Sequence, residues 1–209
     1  SYSRLLPRAA AKRFAINIIN GLQYLHGHDV VHGDIKPENV LVGADSVCKL
    51  TDFGSSVERK ISMHKKRKST TAANNNSGSG SGDGVIDIRG TPPYMAPEVA
   101  AGALPTTASD IWSFGILLHE LLSGQLPWGH EPTAAKSQVR LMQGLAKPAG
   151  TDGALRPQSV FGDGSSVAGA EEGADVERKH ICDLLRACLK ENPADRPSSV
   201  QLCSFGYLL

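Results

Sequence analysis

The sequence predicts a mainly α domain with short β hairpins, an α+β arrangement, and three observations predict it. Phe14, Ile18, Leu22 and Leu25 recur at spacings of three and four, which is one face of an amphipathic helix. Ala108 to Ser123 is apolar nearly all round, with Ile111, Trp112, Phe114, Ile116, Leu117, Leu118, Leu121 and Leu122, as suits a helix at the buried axis of a domain. Between them, β-branched residues come in short runs interrupted by Gly33 and Pro37, which suits short strands around a loop.

Taken in order, the first helix runs from Pro7 to His26. Pro7 is suited to its first turn and Gly27 is placed to stop it. Asp29 to Val42 reads as short strands flanking a loop, and Val47 to Thr51 as another strand that feeds Asp52-Phe53-Gly54. Loop residues clamped by backbone ladders on both sides are well mounted to carry chemistry. The character changes over 58–89: Arg59-Lys60 and Lys65-Lys66-Arg67-Lys68 are basic, and Asn74 to Gly84 is almost entirely Asn, Ser and Gly. This is a low-complexity insertion with the composition of a disordered segment. Apolar patterning resumes at Gly90, continues into the Ala108–Ser123 helix and stops at Gly124. Ala134 to Gln143 reads as a further helix with Val139 and Met142 inward. A second insertion, rich in Gly, Ala, Ser and Asp, covers 146–175, and a helix from Ile181 to Lys190 follows with Leu184, Leu185 and Leu189 inward. No internal repeat is present.

At 209 residues and 40% hydrophobic content, the chain suffices for one sizeable core. A net charge of +1 offers no electrostatic reason to expect nucleic acid or a membrane surface as partner. No apolar run approaches the roughly 20 residues that span a bilayer, and no signal-peptide pattern opens the chain. Cys48, Cys182, Cys188 and Cys203 are scattered without a C-x-x-C pair and read as buried reduced thiols. These features lead to an expectation of an intracellular, cytoplasmic protein. The run Lys65 to Lys68 reads either as a nuclear-import signal or as a solvated charge cluster.

Chemistry concentrates in His32-Gly33-Asp34-Ile35-Lys36-Pro37-Glu38-Asn39, followed by Asp52-Phe53-Gly54. Phosphoryl transfer to a hydroxyl needs a carboxylate to orient the nucleophile, metal ions to neutralise phosphate oxygens, and a cation to meet the charge on the transferred group. Asp34 suits the first role. Asn39 and Asp52 supply hard oxygens that suit magnesium rather than zinc. Lys36 is positioned to reach a γ-phosphate. Each piece alone says little, because a single Asp-Phe-Gly is usually a turn and a single Asp in such a loop usually caps backbone amides. The ordered series says much more: the loop, Asp52-Phe53-Gly54, Gly90-Thr91 through Ala96-Pro97-Glu98, Asp110-Ile111-Trp112-Ser113-Phe114-Gly115 and Asp195-Arg196-Pro197. In that order it resembles the C-terminal lobe of eukaryotic protein kinases of the serine/threonine type, over nearly the whole of 1–209 outside the two insertions.

The resemblance implies ATP and Mg2+ as cofactors, with Asp34 and Lys36 catalytic. The nucleotide–metal site would comprise Lys36, Glu38, Asn39, Leu41, Thr51 and Asp52, with Leu41 beneath the adenine and Asn39 and Asp52 on the metal. Lysine at position 36 and threonine at position 91 imply serine and threonine hydroxyls of proteins as acceptors, with Thr91 packing against Lys36 and Asp34. Glu38 and Thr91 would position substrate. Glu38 sits where some family members recognise a basic residue near the target, and a plain solvent-facing glutamate is the alternative. His32 is implied as a structural histidine of the loop, and His26 as the end of a helix, which removes the impression that His26, His28 and His32 form a metal cluster. Glu98 is implied to pair with Arg196. Asp110 is implied to accept backbone hydrogen bonds from the loop, and a helix N-terminal acid favoured by the dipole is its plainer reading.

Two departures stand beside the match. Family members commonly carry an arginine at the position of Gly33, which pairs with a phosphate on the activation segment; glycine has no side chain to do so, and phosphorylation within 55–91 is not expected to act through that contact. No segment matches the phosphate-covering glycine loop of the small lobe, so the N-terminal lobe is expected to lie outside this chain. The two readings are therefore a serine/threonine kinase that transfers the ATP γ-phosphate to proteins, and a catalytically silent kinase-like scaffold that binds a partner.

Overall fold

Helix α1 (Arg8–Gly27) starts directly after Pro7, whose carbonyl accepts the amides of Ala10 and Ala11. The structure is a computed structural model that describes residues 6–58, 90–127 and 172–209. The expected helix over 134–143, the basic run 65–68 and nearly all of both insertions lie outside the described residues.

The buried stripe of α1 is Ala11, Ala15, Ile18, Ile19 and Leu22, while Phe14 and Leu25 are half-buried. Small alanines face the core because neighbouring elements come close there. Gly27 does not stop this helix. It is the last helical residue, and the reversal falls at Asp29, which takes a left-handed backbone with φ of 61° as its amide bonds the His26 carbonyl. Aspartate tolerates that conformation better than most side chains.

Strand β1 (Val30–Val31) leads into the loop 32–39, which ends in a 3₁₀ turn (Pro37–Asn39). Strands β2 (Val40–Val42) and β3 (Cys48–Leu50) then form an antiparallel hairpin in the register Val40–Leu50, Leu41–Lys49 and Val42–Cys48. Among the described residues, only this pair is a local hairpin. β4 (Val57–Glu58) returns to pair antiparallel with β1, Val31 opposite Val57, so the second ladder encloses the first. The loop 32–39 and the segment 51–56 therefore emerge side by side from two clamped ladders.

Helix α3 (Thr107–Ser123) follows the short α2 (Pro97–Ala100) and is the axis of the core. A capping box between Thr106 and Ser109 sets its start, and Gly124 ends it in a left-handed cap with φ of 71°. Ser109 to His119 are all buried. On one side α3 meets α1, and on the other α4 (Glu172–Cys188), through Ile111, Phe114, Leu117 and Leu118 against Ile18, Leu22, Ile181, Leu184 and Leu185. Gly115 permits the second approach: a Cβ there would lie 2.8 Å from the Cys188 Cβ. A smaller cluster of Tyr94, Ala96, Val99, Trp112 and Ile116 seats the 90–100 segment on α3.

Helix α4 starts at Glu172, well before the Ile181 expected from apolar spacing, and so takes in the last residues assigned to the second insertion. Its first turns, Glu-Gly-Ala-Asp-Val-Glu-Arg-Lys, are mostly polar in sequence and leave no apolar period to read. After a 3₁₀ turn (Pro193–Asp195), α5 (Ser199–Leu202) packs on α1. All four cysteines are free thiols; Cys48 and Cys188 are buried, while Cys182 and Cys203 are only half-buried. Among the described residues, no helix is long and apolar enough to cross a membrane.

Candidate active site

The loop 32–39 is held from beneath by α3. Both oxygens of the buried Asp110 carboxylate take loop amides: Oδ2 accepts from the His32 N–H at 2.9 Å and Oδ1 from the Gly33 N–H at 2.9 Å. His32 is fully buried and ties the loop to the exit of β3. Its Nδ1 accepts from the Asp34 amide at 3.3 Å, which assigns the ring proton to Nε2, 3.0 Å from the Thr51 carbonyl. Gly33 lies at φ of 79°, and a Cβ there would stand 2.8 Å from the Ser55 carbonyl oxygen. Glycine suits this point both for its backbone angle and for the close approach of the 51–56 segment.

Asp34 is the centre of a four-residue cluster. Oδ1 accepts from the Thr91 amide at 2.8 Å. Oδ2 faces the Lys36 ammonium at 2.8 Å and the Asn39 amide nitrogen at 3.2 Å. The same Asn39 nitrogen donates to the Asp34 carbonyl at 2.8 Å, which leaves the amide oxygen as the acceptor end of that side chain. Lys36 Nζ also donates to Thr91 Oγ1 at 2.6 Å, so one ammonium links the loop to the 90–98 segment. Burial raises the Asp34 pKa, but hydrogen bonds from Lys36 and Thr91 and the Lys36 charge outweigh it. The carboxyl therefore lies below its ordinary value and stays ionised at neutral pH.

Thr51 continues the β3 ladder by donating its amide to the Asn39 carbonyl at 2.9 Å. Asp52 follows in a left-handed conformation with φ of 61°, exposed, its Oδ1 accepting from the Gly54 amide at 3.2 Å. This brings the second carboxylate out of the strand at the point where the backbone turns. Glu38 is exposed, and so is Leu41, at 60%. Thus Asp34, Lys36, Asn39 and Thr91 form one bonded group, whereas Asp52 makes its hydrogen bond within its own turn.

The supporting pair is complete. Arg196 Nη1 lies 2.6 Å from Glu98 Oε1 and Nη2 2.8 Å from Oε2, a two-pronged contact. The remaining guanidinium donors reach the carbonyls of Lys190, Ala108 and Glu191 at 2.8, 3.0 and 3.1 Å. The guanidinium carbon also lies 5.0 Å from the Trp112 ring centroid. Every N–H of this buried cation is used, which is the condition for burying one.

Three side chains of the site are not legible from sequence. His26 sends Nε2 to Asp110 Oδ2 at 2.9 Å and Nδ1 to Ser199 Oγ at 3.2 Å. Tyr94 donates its hydroxyl to Glu120 Oε2 at 2.6 Å. Burial first, then the Glu120 bond and the Glu120 and Glu38 charges, raises the Tyr94 pKa. Ser113 Oγ donates to the Tyr94 carbonyl at 2.7 Å and anchors that segment to α3. Among the described residues, no group of three or more His, Cys, Asp or Glu side chains is placed to hold a metal ion. His28 is turned to the Tyr24 carbonyl at 2.7 Å, away from the bonds of His26 and His32.

Comparison with known proteins adds the family. The profile described as "Protein kinase domain" matches residues 1–208. The serine/threonine-protein kinase-transforming protein mos of Moloney murine sarcoma virus (strain ts110) is 28% identical over 187 residues, covering 90% of this chain and 43% of that protein. MAP kinase kinase kinase SSK2 of Saccharomyces cerevisiae is 29% identical over a 217-residue alignment, covering 96% of this chain and 12% of that protein. Protein kinase 3 of Dictyostelium discoideum is 38% identical over 122 residues, covering 58% and 12%. The chain thus spans less than half the length of these curated relatives. With a domain match across its length and serine/threonine kinases as relatives, this chain belongs to the protein kinase domain family.

Proposed function

We propose that this chain carries the catalytic half of a serine/threonine protein kinase, which transfers the γ-phosphate of ATP to hydroxyls of protein substrates. The observation that carries this reading is Asp34, held ionised and oriented between the Thr91 amide and the Lys36 ammonium. A packing role alone calls for no such set. In this role Asp34 orients the acceptor hydroxyl and takes up its proton as the oxygen bonds to the γ-phosphorus and the bond from that phosphorus to the bridging oxygen breaks, releasing ADP. Lys36 moves its charge toward the γ-phosphate, and Thr91 keeps the acceptor segment against Asp34. Glu38, exposed beside the loop, favours a basic residue near the target hydroxyl.

Magnesium fits the donor set, since the Asn39 amide oxygen and the Asp52 carboxylate are hard oxygen donors. When bound, the ion neutralises charge on the phosphate oxygens. Leu41 presents an exposed apolar face suited to the adenine, with Val42 beside it at 54%. An open cavity of about 450 Å³ between α1 and β3, lined by Tyr24, Leu25, Val47, Leu50 and Phe53 among others, offers further apolar surface. Both surfaces suit a second lobe that closes the nucleotide cleft from outside these residues.

The test is transfer of labelled γ-phosphate from Mg-ATP to a mixed Ser/Thr peptide library. It compares this chain alone with the chain joined to a kinase small lobe, each against its Asp52→Asn control. Transfer that disappears in the control supports the enzyme. No transfer above control in either form overturns it and leaves a partner-binding scaffold.

A further inference from the structure

We propose that Asn17 of α1 is a positioning residue for Asp52, acting through the backbone of β3. The proposal rests on the kinase reading above only for what Asp52 then does.

Among the described residues, the Asp52 carboxylate bonds only the Gly54 amide of its own turn. Its place relative to Asn39 is therefore inherited from the strand that delivers it. The end of that strand is secured twice. The Thr51 amide donates to the Asn39 carbonyl at 2.9 Å, and the Thr51 carbonyl lies 3.0 Å from His32 Nε2. Both bonds face the loop, so neither holds the opposite edge of β3.

That edge is held by α1. The register pairs Leu41 with Lys49, and the Gly43 and Thr51 amides close rungs to the Val47 and Asn39 carbonyls. Residues 47, 49 and 51 thus face β2, and Cys48 turns its amide outward. Among the described residues, no further strand pairs on that side. Asn17 Oδ1 accepts the Cys48 amide there at 2.9 Å, from 31 residues earlier in the chain. Water could satisfy this amide, but only a side chain on a packed helix ties it to a fixed place.

A second contact makes the tie a matter of register. Gly21 lies one turn after Asn17, and a Cβ there would stand 3.1 Å from Leu50 Cδ1, so α1 runs close to β3 at this point. Four helical residues rise about 6 Å, and two strand residues span roughly 6.6 Å. The steps match: Asn17 meets Cys48 while Gly21 meets Leu50. Helix α1 thereby sets where β3 stands along its own direction, and with it the point at which Asp52 leaves the strand.

Two variants of similar size separate a positioning role from a local cap. Asn17→Leu removes the acceptor, and Asn17→Asp keeps an oxygen in its place. Amide hydrogen exchange in the full chain is read at Cys48, at Thr51 and, as a control for global stability, at Leu117 in the buried α3. Asn17→Leu is expected to speed exchange at Cys48 and Thr51 by about tenfold and to leave Leu117 within about twofold, with both restored in Asn17→Asp. Mn2+ alone, followed through broadening of the Gly54 amide signal, reads the placement of the carboxylate. Asn17→Leu should need about threefold more metal for the same broadening. Gly21→Val presses on Leu50 at the second contact and should reproduce both effects, and it carries the test if Asn17→Leu does not fold. Faster exchange at Cys48 alone marks a local edge cap and overturns the proposal, as does equal acceleration at all three amides. A wild-type chain whose Gly54 signal ignores Mn2+ defeats the metal reading of Asp52 alone, because exchange at Thr51 still decides the role of Asn17.

Discussion

Lys36 Nζ stands 2.6 Å from Thr91 Oγ1 and 2.8 Å from Asp34 Oδ2, although Thr91 lies 55 residues further along the chain. One ammonium thus joins the loop that carries the carboxylate to the 90–98 segment. Its consequence for Asp34 is measurable by titration.

The folded pKa of Asp34 lies below the ordinary value of 3.8, so folding favours the ionised form. The stability this carboxylate contributes is complete above the unfolded value and is lost as pH falls through the lower folded one. Denaturant unfolding of wild type against Asp34→Asn should show a difference that is flat above about pH 5 and shrinks on the acid side. Lys36→Met should move the Asp34 titration, followed by carboxyl NMR, to higher pH, because burial then meets less opposition.

Arg196 is buried to the last donor, while Glu98 keeps some contact with water. Removing the acid leaves an uncompensated guanidinium in the core. Glu98→Ala is expected to cost about 3–5 kcal/mol, read from urea unfolding. Arg196→Met should cost less per charge removed but release the carbonyls of Lys190, Ala108 and Glu191. A double-mutant cycle with both changes should show strong coupling.

Gly33 has no room for a side chain. Gly33→Ala adds a left-handed Cβ 2.8 Å from a carbonyl oxygen, and a loss of about 1–3 kcal/mol in stability is expected. Arginine at this position, as in many family members, is subject to the same backbone penalty. Correspondingly, alanine at Ser69, Thr70 and Thr71 together should leave transfer activity within about twofold, because no side chain at 33 is present to receive a phosphate.

Gly115→Ala tests the core. The new methyl would press on Cys188 Cβ at 2.8 Å and Leu189 Cδ2 at 2.9 Å, both on or next to α4. Overpacking of this kind costs about 1–3 kcal/mol and should lower the thermal midpoint without moving the titration of Asp34.

Much of the architecture was legible because it is local. The Gly124 stop and the all-round apolar face of α3 depend on residues within one or two turns of each other, whereas the Thr106–Ser109 cap was not read in advance. The strands within 29–51 could be located by composition, but β4 (Val57–Glu58) and the pairing could not: β1 seeks β4 across the β2–β3 hairpin, and a two-residue ladder carries almost no signal. The start of α4 was missed for a related reason, since the sequence of its first turns is mostly polar and repeats nothing. At Gly27 the local rule failed outright, because Asp29 accepts the left-handed turn instead.

For the site, the sequence by itself determined which groups are available and in what order: a carboxylate at 34, a cation at 36, an amide at 39, a second carboxylate at 52 and a threonine at 91. Their resemblance to a family followed from that order. Tertiary structure alone decided which atoms meet. That His26 and the His32 amide share one oxygen of Asp110, and that Arg196 reaches Glu98 and the Ala108 carbonyl as well as the nearby carbonyls of Lys190 and Glu191, depends on packing between segments 78 to 98 residues apart. Periodicity and capping are properties of neighbours along the chain. The partners of a buried polar group are set by what the closing core brings against it, once water has been removed.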